Sequence, residues 1–218
     1  MPIRLDERLT LIASLVDYGR VADVGCDHGK LGYYLVSTDK ASHIVATDIS
    51  APSLKKAREL ALENGVSELM DTRLGDGLAP VMTREVDTVV IAGLGGDVIS
   101  GILEGARKDG KEFAHFLLSP NTHPEKVRVE LEKCGHKIVF DDIITCAGKV
   151  YTVIKTEQGS ESLDDRQTKY GKFYLESSNF KAWLVREIKN KKNILAKNFS
   201  EELNGKICEL EKLLATLN

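Results

Sequence analysis

Two acids and two glycines fall within seven residues, Asp23-Val-Gly-Cys-Asp-His-Gly29, where the short apolar run Val21–Val24 ends. A strand that ends in such a turn can bring backbone amides close to a bound molecule, because glycine carries no Cβ and tolerates positive φ. The chemistry on offer is that of a cofactor turn. Gly25 and Gly29 do not keep the Gly-x-Gly-x-x-Gly spacing of nicotinamide-binding turns, and Asp27 stands where a second close glycine would be. Taken alone, the segment reads more readily as an ordinary strand-to-helix turn of an α/β domain than as a cofactor site.

Residues of the same kind recur downstream. A second apolar run, His43–Thr47, ends in Asp48, twenty-five residues beyond Asp23, near the distance at which an acid meets ribose hydroxyls in doubly wound folds. Ser50 can cap and Pro52 open a helix reaching about Asn64, with Gly65 stopping it. Asp71–Leu74 runs into Gly75-Asp76-Gly77, and Val86–Ala92 runs into Gly93-Leu94-Gly95-Gly96. Four successive strand ends therefore carry acid or glycine. Ligands of open α/β sheets bind beyond the carboxyl ends of the strands, where strand order reverses, so this regularity points to one site.

The elements that would position those residues continue to residue 155. A fifth strand, His115–Leu118, leads into Ser119-Pro120-Asn121, and a helix is expected over Glu125–Cys134. His136–Thr145 and Lys149–Lys155 flank Ala147-Gly148 too closely for a helical crossover, which makes them antiparallel partners.

With these motifs in this order, the chain resembles the bacterial tRNA (adenine-22-N1)-methyltransferase (TrmK) family of class I S-adenosylmethionine (SAM) dependent methyltransferases. The resemblance rests on an N-terminal Arg8-Leu9 helix, Asp23–Gly29, Leu74-Gly-Asp-Gly-Leu78, Ile91-Ala-Gly-Leu-Gly-Gly96, Leu118-Ser-Pro-Asn121 and Gly148-Lys-Val-Tyr151, over roughly residues 1 to 155. Gly29, Leu94 and Ser119 are conservative departures from the family pattern. The resemblance implies an α/β, Rossmann-like seven-stranded sheet with a C-terminal helical hairpin or coiled coil. It implies SAM as cofactor and tRNA as partner, with SAM held by Asp23, Gly25, Asp48, Ile49, Gly75, Asp76, Gly77, Ala92, Gly93 and Leu94. Asp76 would contact the cofactor's adenine.

For the reaction, N1 of adenine has an in-plane lone pair that needs no prior deprotonation, so transfer is limited by positioning rather than by a base. The product ring is cationic. Asp27, His28 and Asn121 are the catalytic candidates. Asp27 would favour the developing charge, or else only bond to backbone or to the SAM amino group. Asp23 would order its turn or bind the methionine end of SAM, and His28 would orient the target base or order the turn. The Asn/Asp-Pro-Pro-aromatic motif of amino-directed enzymes is missing, with Ala92-Gly93-Leu94-Gly95 in its place, which fits ring-nitrogen chemistry.

Composition narrows the class without naming it. The chain has 218 residues, 42% hydrophobic and 29% charged, with a net charge of −3, as expected for a globular protein with a full core. No apolar stretch approaches a membrane span and the N-terminus lacks a signal-peptide core, so a cytoplasmic location and no membrane partner are expected. Cys26, Cys134, Cys146 and Cys208 lack paired metal spacing. Reduced thiols and no metal follow as expectations.

The distribution of charge is more informative than its sum. Residues 166–199 hold nine Lys or Arg against two Glu, whereas residues 1–157 hold 19 basic and 24 acidic side chains. Apolar residues there recur at three-to-four spacing: Phe180, Leu184, Ile188, Leu195 and Phe199, then Leu203, Ile207, Leu210, Leu214 and Leu217. Ser200 followed by two Glu marks a helix restart. The expected division is a catalytic domain, 1–157, and a helical hairpin, 158–218, joined by the polar linker Glu157–Asp165. Arg186, Lys189, Lys191 and Lys192 are the RNA-binding candidates, the alternative being a packing or oligomerisation module with a solvated lysine face. Tyr170, Phe173, Tyr174 and Trp183 are expected to pack the hairpin to the catalytic domain rather than to stack bases, and the protein to be a monomer or weak homo-oligomer. Other readings are methylation of another RNA position or a small molecule, with the tail serving assembly, and a nicotinamide-dependent or non-catalytic protein that does not bind SAM.

Overall fold

A computed structural model describes residues 3–217. Seven strands form one sheet in the order β3-β2-β1-β4-β5-β7-β6: β1 Arg20–Val24, β2 His43–Asp48, β3 Met70–Leu74, β4 Thr88–Ala92, β5 His115–Ser119, β6 His136–Cys146 and β7 Lys149–Gln158. The first five are parallel, and β7 returns antiparallel to both β5 and β6. The chain winds outward from β1 through β2 to β3, then crosses back to β4 beside β1. That reversal opens a crevice beyond the carboxyl ends of β1 and β4.

Strands β1 and β4 are almost wholly buried, as expected of parallel strands covered on both faces. One face is covered by α1 (Glu7–Leu15), α2 (Lys30–Ser37) and α3 (Ala51–Glu63), whose Ile12, Leu35, Leu54 and Ala57 form one core cluster. The other is covered by α4 (Gly96–Lys108) and α5 (Pro124–Lys133), through Ile99, Leu103, Val127 and Leu131. Ser50 caps α3 by accepting from the Ser53 amide, with Pro52 in its first turn. The β6–β7 hairpin turns on Ala147 and Gly148, both at positive φ, the conformation that two-residue hairpin loops demand. Two expectations shift at their edges: β4 begins at Thr88, leaving the buried Val86 before it, and β7 runs three residues past Lys155.

The tail comprises α6 (Asp165–Tyr170), α7 (Ser178–Leu195) and α8 (Glu201–Ala215). Helices α7 and α8 pair through Leu184, Ile188, Ile207 and Leu213, and Ser200 caps α8. Phe199 departs from the expected apolar stripe: it lies in the turn between the two helices and is 77% exposed. Tyr174 and Phe180 are buried in the tail's own cluster, with Tyr170 and Trp183 half-buried around them.

An ion pair clamps the tail to the sheet. Arg128 of α5 donates twice to the Asp141 carboxylate of β6, at 2.8 and 2.9 Å, both side chains being 1% exposed. Nη1 of the same guanidinium donates to the Thr168 carbonyl of α6, and the Lys172 amide also donates to Asp141. Lys172 Nζ in turn bonds Glu161 and the Ile138 carbonyl. Such a buried pair is sustained by these added bonds, which partner all three guanidinium nitrogens and both carboxylate oxygens.

Candidate active site

The crevice is a cleft of about 550 Å³ lined by the ends of β1, β2, β3 and β4 and by the start of α1. Its walls include Asp23, Gly25, Asp27, Asp48, Ile49, Gly75, Asp76, Gly77, Ala92, Gly93 and Leu94. The first turn is held from below: the amides of Gly25 and Cys26 both donate to the Thr47 carbonyl. Gly77 has φ +53, and a Cβ there would stand 2.8 Å from Ile102, so glycine is required both by conformation and by space. At Gly29, a Cβ would lie 2.8 Å from that of Ala57; this glycine serves the packing of α2 against α3.

Asp48 organises the turn as well as facing the cleft. Its Oδ2 accepts from the Asp27 amide at 3.0 Å and its Oδ1 from the Ser50 amide at 2.8 Å. A carboxylate has about four lone-pair sites, so acceptor capacity remains for two adjacent hydroxyls. Ile49, 74% exposed, with Val98 and Ile102, gives the same cleft an apolar wall suited to a flat ring.

Asp23 is buried at 5% exposure, and its Oδ2 has no hydrogen-bond partner among the described residues. Burial pushes its carboxyl up to about 7, with the Asp48 charge adding to the rise and a bond from the Gly32 backbone opposing it. An orphaned acid at the wall of a cleft is suited to a cationic ligand group such as an ammonium. The thiol of Cys26, beside it, is pushed far up by burial and by Asp23. A thiol held protonated is no nucleophile at neutral pH.

The three catalytic candidates divide. Asp27 lines the cleft at φ +50 with its side chain 75% exposed, near His28 Nε2 at 3.4 Å. His28 is not a lining residue; its Nε2 also lies 3.0 Å from Lys56 Nζ, on the outer side of the turn. Asn121 sits at the rim, where its amide group donates to the Gly93 carbonyl and its Oδ1 accepts from Arg8 at 3.4 Å. Arg8, which lines the cleft, lies over the Tyr151 ring at 4.6 Å. Arg8 and Tyr151 belong to the segments that carried the resemblance, yet nothing in their spacing indicates that the chain between them brings the two together.

Of the four RNA candidates on α7, Arg186 and Lys189 are exposed and have no ion-pair partner among the described residues. Lys191 pairs with Glu187 within the helix and Lys192 with Glu211 across the hairpin. Among the described residues no three His, Cys, Asp or Glu side chains gather as a metal site requires, and no helix is long and apolar enough to cross a membrane.

Comparison with known proteins agrees with this geometry. A family model described as a methyltransferase domain matches residues 5–154. The tRNA (adenine(22)-N(1))-methyltransferase of Bacillus subtilis is 31% identical over 204 residues, covering 92% of this chain and 82% of that protein. Among solved structures, the S-adenosyl-L-methionine complex of Streptococcus pneumoniae Sp1610 superposes with a TM-score of 0.85 at 28% identity, covering 97% of this chain and 100% of that one. Mycoplasma capricolum TrmK bound to S-adenosyl-homocysteine gives 0.82 at 25% identity, with 98% and 99% covered.

Proposed function

This chain belongs to the tRNA (adenine(22)-N(1))-methyltransferase family, and from that premise we propose that it transfers the methyl group of SAM to N1 of an adenine in tRNA, at position 22. The observation that carries the tRNA reading over a general methyltransferase one is coverage. The match to the B. subtilis enzyme takes in 92% of the chain, and so includes the basic tail beyond the methyltransferase domain at 5–154.

Bound in the cleft, SAM supplies a methyl group already activated by its sulfonium. The work left to the protein is placement. With SAM bound, Asp23 would face the ammonium and Asp48 would accept the ribose hydroxyls, while Ile49, Gly77 and Ile102 would bound the adenine, with Asp76 at its edge. No residue need remove a proton from N1, so orientation is the main lever, worth on the order of 7–11 kcal/mol in favourable cases. Asp27 is the acid that would offset the positive charge of the methylated ring. So exposed a carboxylate is screened by water, and it acts strongly only once RNA covers the mouth of the cleft.

The test is nucleoside mass spectrometry of unmodified tRNA incubated with the protein and isotopically labelled SAM. Label is expected in 1-methyladenosine, and is expected to vanish when adenine 22 is replaced by guanine. Label that persists after that replacement would move the site elsewhere. Label in no nucleoside would remove RNA as the substrate.

A further inference from the structure

A smaller cavity of about 260 Å³ lies between Pro120, Asn121 and Pro124 on one side and Tyr170, Phe180 and Trp183 of the tail on the other. Asn121 links this cavity to the cleft. Its side chain bonds Gly93 and Arg8, both residues of the cleft, while the residue itself lines the groove. A molecule reaching into the cleft over Asn121 therefore passes the groove.

The groove has the makings of a stacking site. Phe180 is buried, and Trp183 lies against it with ring centroids 5.3 Å apart and planes 37° from parallel. Tyr170 approaches the same ring at 5.8 Å. Trp183 and Tyr170 are only half-buried, so a buried ring supports two rings that keep accessible surface. Lys169, at the rim, sits over the Tyr170 ring at 5.0 Å. No carboxylate lines the groove itself, but Glu209 of α8 accepts from Lys169 Nζ at 2.7 Å and from the Tyr170 hydroxyl at 2.9 Å, so the cations left free for a ligand are those of α7. One turn beyond Trp183 on α7 stand the exposed cations Arg186 and, a further turn on, Lys189, on neighbouring positions of the helix surface.

We propose that this groove holds one unpaired nucleotide of the tRNA next to the target adenine, its base stacked on Trp183 and its backbone phosphates facing Arg186 and Lys189. The proposal rests on the tRNA reading above. The volume suits one nucleoside and not a duplex, and aromatic faces flanked by cations are how proteins hold single-stranded nucleic acid without reading its sequence. Half-buried Trp183 and Tyr170 thus have a role besides the packing expected of them.

Trp183 is the chain's single tryptophan, so its fluorescence reports the groove alone. In the full-length protein, saturating tRNA is expected to quench that emission, and a short single-stranded RNA to do so at higher concentration. Trp183→Leu is expected to raise the KM for tRNA about tenfold or more, with kcat at saturating tRNA and the Kd for SAM unchanged. Trp183→Phe, which keeps an aromatic face, is expected to restore most of the loss. Emission that does not respond to bound tRNA, a Leu variant with the wild-type KM, or equal losses in the Leu and Phe variants would each overturn the proposal. If the wild type methylates tRNA and the groove variants are indifferent, only this proposal falls. If the wild type binds SAM and methylates no tRNA, the functional reading falls and takes the proposal with it.

Discussion

Asp23 is an acid whose ionisation the fold alters strongly, and the sign of that change makes a prediction. Its carboxyl, raised by burial to about 7, must be ionised to hold an ammonium, so ligand binding below that pH first costs a proton. SAM affinity is expected to fall as pH drops below 7, approaching tenfold per unit, and also to decline above about 8, where an α-amino group loses its charge. Calorimetry from pH 5.5 to 8.5 checks this, and Asp23→Asn should flatten the acid limb while weakening binding at pH 7.5. The unliganded variant should be the more thermostable one at pH 8, since a folded pKa raised above the unfolded value penalises the native state once the acid ionises. That gain should disappear near pH 4. For Asp27 the split between kinetic constants decides: Asp27→Asn keeps the size and loses the charge, so turnover should drop, roughly tenfold, with little change in SAM affinity. Equal losses would make it a cofactor ligand, and full activity would remove it from the site.

At the scale of elements, what the sequence made legible tracks how local each cause is. The turn after β1, the Ser50 cap and the Ala147-Gly148 hairpin are set by neighbouring residues, and the expected ranges match to within a few positions. Helix α4 is harder to read, because Gly96, Gly101 and Gly105 interrupt its apolar spacing and glycine costs about 1 kcal/mol against alanine in a helix. Its Ile99, Leu103 and Ala106 nonetheless reach the core. Helix α6 has six residues and no apolar period; only the capping box between Asp164 and Gln167 marks it. The clasp it joins is non-local. Arg128→Met leaves Asp141 charged and buried, for which about 3–5 kcal/mol is typical, so the melting temperature should fall by roughly 10 °C. Arg128→Met with Asp141→Leu should recover most of it. On α7, Arg186→Glu with Lys189→Glu should weaken tRNA binding and flatten its dependence on salt by about two phosphate contacts, leaving SAM affinity unchanged. An unaltered salt slope would take RNA off this face. Reversing Lys191 and Lys192 would be a poorer test, since it would also break their bonds to Glu187 and Glu211.

For the whole molecule, the convergence of Asp23, Asp48, Asp76 and Gly93 on one cleft was readable because each stands at or just beyond a strand end, and strand ends converge in any sheet of this order. The rim was legible only in part: Asn121 stands out in the sequence, but its meeting with Arg8 and Tyr151 comes through tertiary packing, and the sequence carries no period that records it. The same distinction applies to the boundary of the catalytic unit. A cut after Glu157 falls at the polar stretch, where composition changes, and it spares every cleft residue. It would nevertheless remove Leu163 and Phe173, which pack on the core behind α4 and α5, and Lys172, Glu161 and Thr168, which surround the buried Arg128–Asp141 pair. A cut after Glu176 keeps all of these and removes only α7 and α8. The longer fragment is therefore expected to fold, to bind SAM like the full chain and to lose most tRNA affinity. The shorter one is expected to melt at least several degrees lower. Thermal melts and SAM calorimetry on both fragments, with methyl transfer to tRNA, would check this. If the fragment ending at Glu157 is as stable as the one ending at Glu176, the clasp contributes nothing to the catalytic unit. If the longer fragment methylates tRNA at the full-length rate, helices α7 and α8 are an assembly element and the RNA is held by the sheet and its loops alone.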